Sequence, residues 1–272
     1  MTEYMQASRT QSHWAVIVRY CLKLYSSGSA ERTVSFFLFP DSGKDGLSVM
    51  TENEAREAIC EVGHNLWQLG FVAANDGNIS VKLDDDVFLA TPTGTSKRIL
   101  RPEMLILVNG ENEVIREAPG YKPSSEFKMH LSCYAERPDI NAVVHAHPPT
   151  ATGFAIAHIP LDDYSMPEAV IFLGSVPIAP YDTPGSVGLA DSIKPFLRYH
   201  DTILMENHGA VSVGVDLTQA YYRMETLEHY AKVSLVARQL GGANPLPMDK
   251  IEECVEIGRG CPLRHPGYRK YS

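Results

Sequence analysis

The chain has 272 residues and a mass of 30.1 kDa, with 24 Lys plus Arg against 33 Asp plus Glu, a formal charge of −9 and a pI near 5.6. Hydrophobic residues at 44% and charged residues at 21% are ordinary globular composition, which excludes wholesale disorder and allows a sizeable core. The acidic balance lacks the basic footprint of a nucleic-acid binder and argues against docking on an anionic membrane. Cys21, Cys60, Cys133, Cys254 and Cys261 are odd in number and form no C-x-x-C, a pattern of reduced thiols rather than of a disulfide framework. No apolar run is long enough to span a bilayer, and Arg19 and Lys23 interrupt the stretch that begins at Trp14. A signal peptide is not expected, and the expected location is the cytoplasm.

Residues 1–49 mix Ser, Thr, Arg and aromatics without clean periodicity, and Pro40 to Gly46 is a loop signal. They are expected to be an N-terminal extension, outside a domain that covers 50–272; the competing reading is a small genuine extension that packs on the core or mediates assembly. A helix should start near Met50, capped by Thr51 or Asn53, with Ala55, Ala58, Ile59, Val62, Leu66 and Leu69 on its apolar face and Gly70 as its stop. Two hairpins follow: Ile79–Leu83 with Val87–Ala90 around Asp84-Asp85-Asp86, and Met104–Val108 with Glu113–Ile115 around Asn109-Gly110. Then come a helix over Ser125–Glu136, a strand over Ala142–His147, a helix over Pro148–His158 and a short strand over Val176–Ala179. A helix over Val187–Leu197, strands over Thr202–Met205 and Ala210–Val213, and a long helix over Leu217–Leu240 complete the series. Hairpins inside a mixed order predict one α+β or three-layer domain around a largely antiparallel sheet, not a run of βαβ units.

The chemistry-bearing residues fall in this second part. In His145-Ala146-His147, residues two apart on a strand share a face, so both imidazoles can reach one ion. The alternative is a pair of histidines at a solvent-facing strand end. His208, in Glu206-Asn207-His208-Gly209, follows an apolar strand and precedes a glycine that permits a sharp turn. A third imidazole delivered there would complete a tri-histidine site with an open position, an arrangement suited to catalysis; a turn histidine bonded to backbone is the other reading. Ser124-Ser125-Glu126 precedes a helix, where serines cap and a carboxylate can be a ligand, a base or a plain first-turn acid. His130, one turn later, is expected to be a packing or surface residue. Asp76-Gly77-Asn78-Ile79-Ser80 and Thr91-Pro92-Thr93-Gly94-Thr95-Ser96 offer backbone N–H groups and hydroxyls that suit a phosphate, though such turns are also frequent in hairpins.

Taken in order, Gly77-Asn78-Ile79-Ser80, Thr91 to Gly94, Ser124-Ser125-Glu126, His145-Ala146-His147, Ala179-Pro180-Tyr181 and Asn207-His208-Gly209 resemble the class II aldolase/adducin family over about residues 50–240. The likeness is strongest to the branch that cleaves L-fuculose 1-phosphate. It implies an α/β fold, a three-layer α/β/α single domain around a largely antiparallel central sheet, and a cytoplasmic homotetramer with sites at subunit interfaces. It implies one Zn²⁺ per chain on His145, His147 and His208, with Glu126 as catalytic acid/base and resting ligand. Gly77, Asn78, Thr93, Gly94, Ser124 and Ser125 would hold the phosphate of a small sugar. Tyr164, after Ile159-Pro160, matches a catalytic proton donor, and Tyr268 or Tyr271 could supply a second tyrosine. The segment from Met166 to Val176 would line the aldehyde side, and its apolar character would suit a deoxy or short aldehyde.

The implied reaction is cleavage of a ketose 1-phosphate to dihydroxyacetone phosphate and an aldehyde. It requires a cation to hold an enediolate, a carboxylate to move a proton, and a phosphate clamp to remove positional freedom. Within the same resemblance stand an L-ribulose-5-phosphate type 4-epimerase, whose branch carries aspartate after the serine pair, and a sugar-phosphate dehydratase. A non-catalytic adducin-like module would lack the three histidines.

Overall fold

The computed structural model describes residues 50–116 and 118–260. The expectations for residues 1–49, Cys261, Tyr268 and Tyr271 lie outside the described residues.

Helix α1 (Glu52–Gln68) starts as its sequence dictates. Thr51 Oγ1 accepts from the Glu54 backbone N–H, and the Glu54 carboxylate accepts from the Thr51 N–H at 2.8 Å, a reciprocal capping box. Gly70, at φ 72°, ends it: its N–H and that of Phe71 return to the Trp67 and Leu66 carbonyls. Ala55, Ile59, Val62 and Leu66 are buried along one stripe.

The strands are β1 (Asn78–Asp84), β2 (Val87–Ala90), β3 (Ile106–Val108), β4 (Val114–Arg116), β5 (Ala142–Ala146), β6 (Ile178–Ala179), β7 (Thr202–Met205) and β8 (Gly209–Gly214). They form one sheet in the order β4-β3-β2-β1-β5-β8-β7-β6, antiparallel except for the β6–β7 pair. The remaining helices are α2 (Phe127–Glu136), α3 (Pro149–Ile156), α4 (Pro167–Phe172), α5 (Val187–Leu197), α6 (Leu217–Gln239) and α7 (Met248–Gly260).

Period-two alternation sorts the strand residues into two cores. Ala142, Val144 and Ala146 of β5 face one side with Leu204 and Ala210, under α1, α3 and α6. Val143, Ile203, Met205, Val211 and Val213 face the other, under α2 and α5. The result is the expected three-layer α/β/α sandwich on a largely antiparallel sheet.

The differences from expectation have local causes. Pro102 nucleates a 3-10 turn over Pro102–Met104, so the third strand begins at Ile106 rather than Met104. Pro177 has no N–H to give a ladder, and β6 shrinks to two residues. Helices α4 and α7 lie outside the expected series and pack on each other. Ala169 and Leu173 join the main core and Val170 packs with Ile251 and Val255, which accounts for the apolar 166–176 segment without reference to an aldehyde.

The layers are tied at the start of β7. Buried Asp201 accepts from Arg137 Nη1 at 2.7 Å and is ion-paired with Arg223 Nη2 at 2.7 Å, joining the end of α2 to α6 across the sheet. Removing one partner from a buried pair strands the other charges. Asp201→Ala is therefore expected to lower unfolding free energy by about 3–5 kcal/mol, measured by urea denaturation.

Candidate metal centre and active site

Two glycines set the geometry. Gly77 has φ 71°, and a Cβ there would lie 2.7 Å from Val72 Cγ1 and 2.8 Å from the His145 carbonyl oxygen. Only glycine allows this turn, and it delivers Asn78 directly opposite His145 in the β1–β5 register. A Cβ on Gly209 would lie 2.5 Å from His147 Cδ2 and 2.7 Å from the Ala146 carbonyl oxygen. The absence of a side chain there lets the β7–β8 turn bring His208 against the two strand histidines.

By strand parity Asn78, Ser80 and His145 face α2, and Glu126 is that helix's N-cap residue. His147 lies just past β5, its N–H held by the Phe71 carbonyl at 2.8 Å. Behind it, the buried Glu228 carboxylate accepts from the Thr150 and Ala151 N–H groups at the start of α3, which anchors the chain leaving His147.

The three imidazoles converge, with one ligand atom from each within 4.8 Å of the others. His145 Nε2 lies 3.1 Å from His147 Nε2 and 3.3 Å from Glu126 Oε2, and His208 Nε2 lies 3.2 Å from Glu126 Oε1. His145 Nδ1 donates to the Ala210 carbonyl at 2.9 Å, which leaves its Nε2 a lone pair aimed into the cluster. His147 Nδ1 faces Asp76 Oδ2 at 3.6 Å, a carboxylate behind the ring. His208 Nδ1 is buried without a hydrogen-bond partner.

Burial, followed by the adjacent His145 and His208, pushes His147 down to about 3, so it is neutral at pH 7. Burial raises the Glu126 carboxyl, but the adjacent His145 and His208 rings outweigh it and hold it below the usual carboxylate range. Lone pairs and a carboxylate facing one another repel unless a cation lies between them. Tetrahedral ligand atoms about 2.0–2.1 Å from a zinc centre are about 3.3–3.4 Å apart, close to the separations seen here. The donor set therefore fits a divalent ion.

The phosphate-site expectations meet nearby. An isolated bridge pairs Pro92 with Pro123, setting the Thr93-Gly94 turn beside Ser124-Ser125. Gly94 has φ 69° with open space where a Cβ would stand, whereas the Thr93 N–H is taken by the Lys122 carbonyl at 2.8 Å. Asn78 donates to Glu126 Oε2 at 2.8 Å and reaches Ser124 Oγ at 3.4 Å, and Ser125 packs on Gly185. Tyr164 is placed differently. Only 3% exposed, it is grouped with Val170, Ile251, Cys254 and Val255 rather than with the histidines.

Two further neighbours lie outside the expected site. Lys97 is 2% exposed and donates to the Thr95 and Asn75 carbonyls at 3.1 and 3.4 Å, bridging the two glycine turns. Burial pushes it down to about 8 against the charges of Asp76 and Glu126, so it is still an ammonium at pH 7. Nothing in Thr95-Ser96-Lys97 signals burial. His130 is fully buried among polar partners, not a surface residue; its spacing of four from Glu126 puts both on one helix face, which is a signal the sequence does carry.

The fold is a three-layer α/β/α domain, and the donor set is a candidate histidine–carboxylate cation site. The sequence profile of the Class II Aldolase and Adducin N-terminal domain matches residues 57–235, and the chain belongs to that family. It is 32% identical over 181 residues to an L-fuculose phosphate aldolase of Methanococcus maripaludis, covering 66% of this chain and 96% of that protein. It is 34% identical over 194 residues to a 3-oxo-tetronate 4-phosphate decarboxylase of Pectobacterium atrosepticum, covering 70% and 87%. The crystal structure of L-fuculose-1-phosphate aldolase from Thermus thermophilus superposes with a TM-score of 0.62 at 32% identity, over 71% of this chain and 98% of that one. The chain is thus a lyase-type enzyme of a family that is typically metal-dependent.

Proposed function

We propose that the protein is a zinc-dependent lyase that cleaves a ketose 1-phosphate of the L-fuculose 1-phosphate type to dihydroxyacetone phosphate and a small aldehyde. The observation that carries this reading is the convergence of His145, His147, His208 and Glu126 beside the Gly77, Gly94 and Ser124 turns. When bound, the divalent ion supplies a Lewis acid for the charge that develops on the ketone oxygen.

The chain's own residues do the rest. Imidazole ligands bring no charge of their own, so His145, His147 and His208 would leave the ion's charge undiminished. Glu126, its carboxylate kept ionised, takes and returns the proton at the carbon next to the ketone. The glycine turns and Ser124-Ser125 hold the phosphate, and the Lys97 ammonium adds positive potential there. Asn78, committed to Glu126, orients the base in addition to any phosphate contact. Tyr164 keeps, from its Ile159-Pro160 motif alone, the role of taking the proton that the hydroxyl loses as it becomes the aldehyde and of donating it back in the reverse direction, and its burial counts against that role within its own chain.

A second reading is supported by the 34% identity to a 3-oxo-tetronate 4-phosphate decarboxylase. Loss of CO₂ from a 3-oxo acid leaves the same enediolate of dihydroxyacetone phosphate, so one site serves both. Incubation of the zinc-loaded protein with each substrate separates them. Aldehyde release from the ketose phosphate supports the aldolase, and CO₂ release from the oxo acid with no aldehyde formation overturns it in favour of the decarboxylase.

The catalytic domain in this reading is 50–272, in a cytoplasmic homotetramer. Exposed Val233 and Val236 on α6 and Leu240 at its C-cap offer apolar surface for assembly. The family match starts at residue 57 and α1 carries its own cap at Thr51, so residues 1–49 are an appendage to the core. Deleting them is expected to leave zinc content and turnover within about twofold, as surface changes away from core features do. Activity assay and light scattering check this; insolubility or altered assembly would make the extension integral. No helix among the described residues is long and apolar enough to cross a membrane.

A further inference from the structure

A buried polar chain runs from α2 through β1 to the carboxylate at the ion site. Asn78 Nδ2 donates to Glu126 Oε2 at 2.8 Å, and Asn78 Oδ1 meets His130 Nε2. His130 Nδ1 lies 2.7 Å from Ser80 Oγ, which lies 2.8 Å from the Tyr134 hydroxyl. Ser80 and His130 are at most 1% exposed, Asn78 is 5% and Tyr134 is 7%.

Every direction in this chain follows from one end. An ionised carboxylate only accepts, so the Asn78 amide must turn its NH₂ to Glu126. Its oxygen then needs a donor, which makes His130 the Nε2–H tautomer. His130 Nδ1 is therefore an acceptor, Ser80 must donate to it, and Tyr134 must donate to Ser80. Reversal of any link would put two acceptors or two donors face to face in a buried site, a cost of about 1–3 kcal/mol for each unsatisfied group. Burial, followed by the neighbouring His145, pushes His130 down to about 3, so it is neutral, as the chain requires.

We propose that His130 is a positioning residue: through Asn78, and locked by Ser80 and Tyr134, it fixes the rotation of the Glu126 carboxylate for proton transfer. It touches neither the ion's ligand atoms nor substrate in this arrangement, and it orients without carrying a proton. The assignment rests on Glu126 being the base.

The test is a double-mutant cycle on the zinc-loaded full chain. The readout is exchange of the C–H next to the ketone of dihydroxyacetone phosphate with deuterated water, with KM and zinc content measured on the same samples. His130→Leu is expected to lower the exchange rate about 10–100-fold, the usual cost of losing an outer partner, with KM and zinc content held. His130→Gln, which can still give an N–H and take an O–H, should recover part of it. In a Glu126→Gln background, His130→Leu should add less than about twofold, because its effect runs through the same group. Ser80→Ala, a smaller change that frees the His130 tautomer, gives the same non-additive pattern if His130→Leu fails to fold. Multiplicative losses in both backgrounds, or a loss confined to KM or to zinc content, would overturn the positioning role. Near-normal exchange in Glu126→Gln alone would instead overturn the base assignment and take the positioning role with it.

Discussion

Glu126→Gln is expected to lower turnover about 10²–10⁴-fold, the range for loss of a general acid–base group, while phosphate binding persists. Gln keeps the size and can still accept from Asn78 Nδ2, but it cannot take a proton near neutral pH. The loss should therefore fall on kcat rather than KM. The carboxylate oxygens also stand 3.2 and 3.3 Å from the ligand nitrogens of His208 and His145, so a fall in ion occupancy would mix two causes. Zinc content measured on the assayed sample separates them. Near-normal turnover at full zinc would leave Glu126 a helix-start residue and move the search for a base elsewhere.

Replacing His145 and His147 together by Ala is expected to abolish ion retention through purification. His145 is wholly buried, and its Nδ1 bond to Ala210 pre-aims Nε2, so the wild-type chain offers a prearranged lone pair that the variant lacks. Loss of even an outer partner of a ligand costs roughly 10–100-fold in affinity, and loss of two ligands should exceed that. Elemental analysis reads the outcome. Retention of a full complement of ion would exclude the tri-histidine assignment.

Much of the fold and most of the candidate site can be read in the residues, for identifiable reasons. The α5 helix begins at Val187 and ends at Leu197 as its periodicity and its Ser186 cap require. The two-residue spacing in His145-Ala146-His147 sets a shared face without any tertiary contact. Tertiary placement is the harder part. Lys97 sits in a three-residue 3-10 turn whose burial comes from α1 and the two glycine turns closing over it, which no local pattern encodes. Helix α4 is six residues long and follows Met166, too short for periodicity to register. The polar links of Ser80 and His130 emerge only when β1 is laid beneath α2. Tyr164 shows the limit in the other direction: its motif suggests a role, and its backbone at φ 49° and buried ring place it in the α4–α7 cluster.

The account stands on an ion held by His145, His147 and His208 that lets Glu126 move a proton on the carbon beside a ketone. The most direct measurement is deuterium exchange into dihydroxyacetone phosphate alone, followed by NMR, for the zinc-loaded protein, the same protein after chelation, and the chelated protein with zinc restored. Exchange at the carbon next to the ketone should be present, lost and recovered in that order, whether the full reaction releases an aldehyde or CO₂. Absence of exchange in the zinc-loaded protein, or exchange that survives complete removal of the ion, would contradict it.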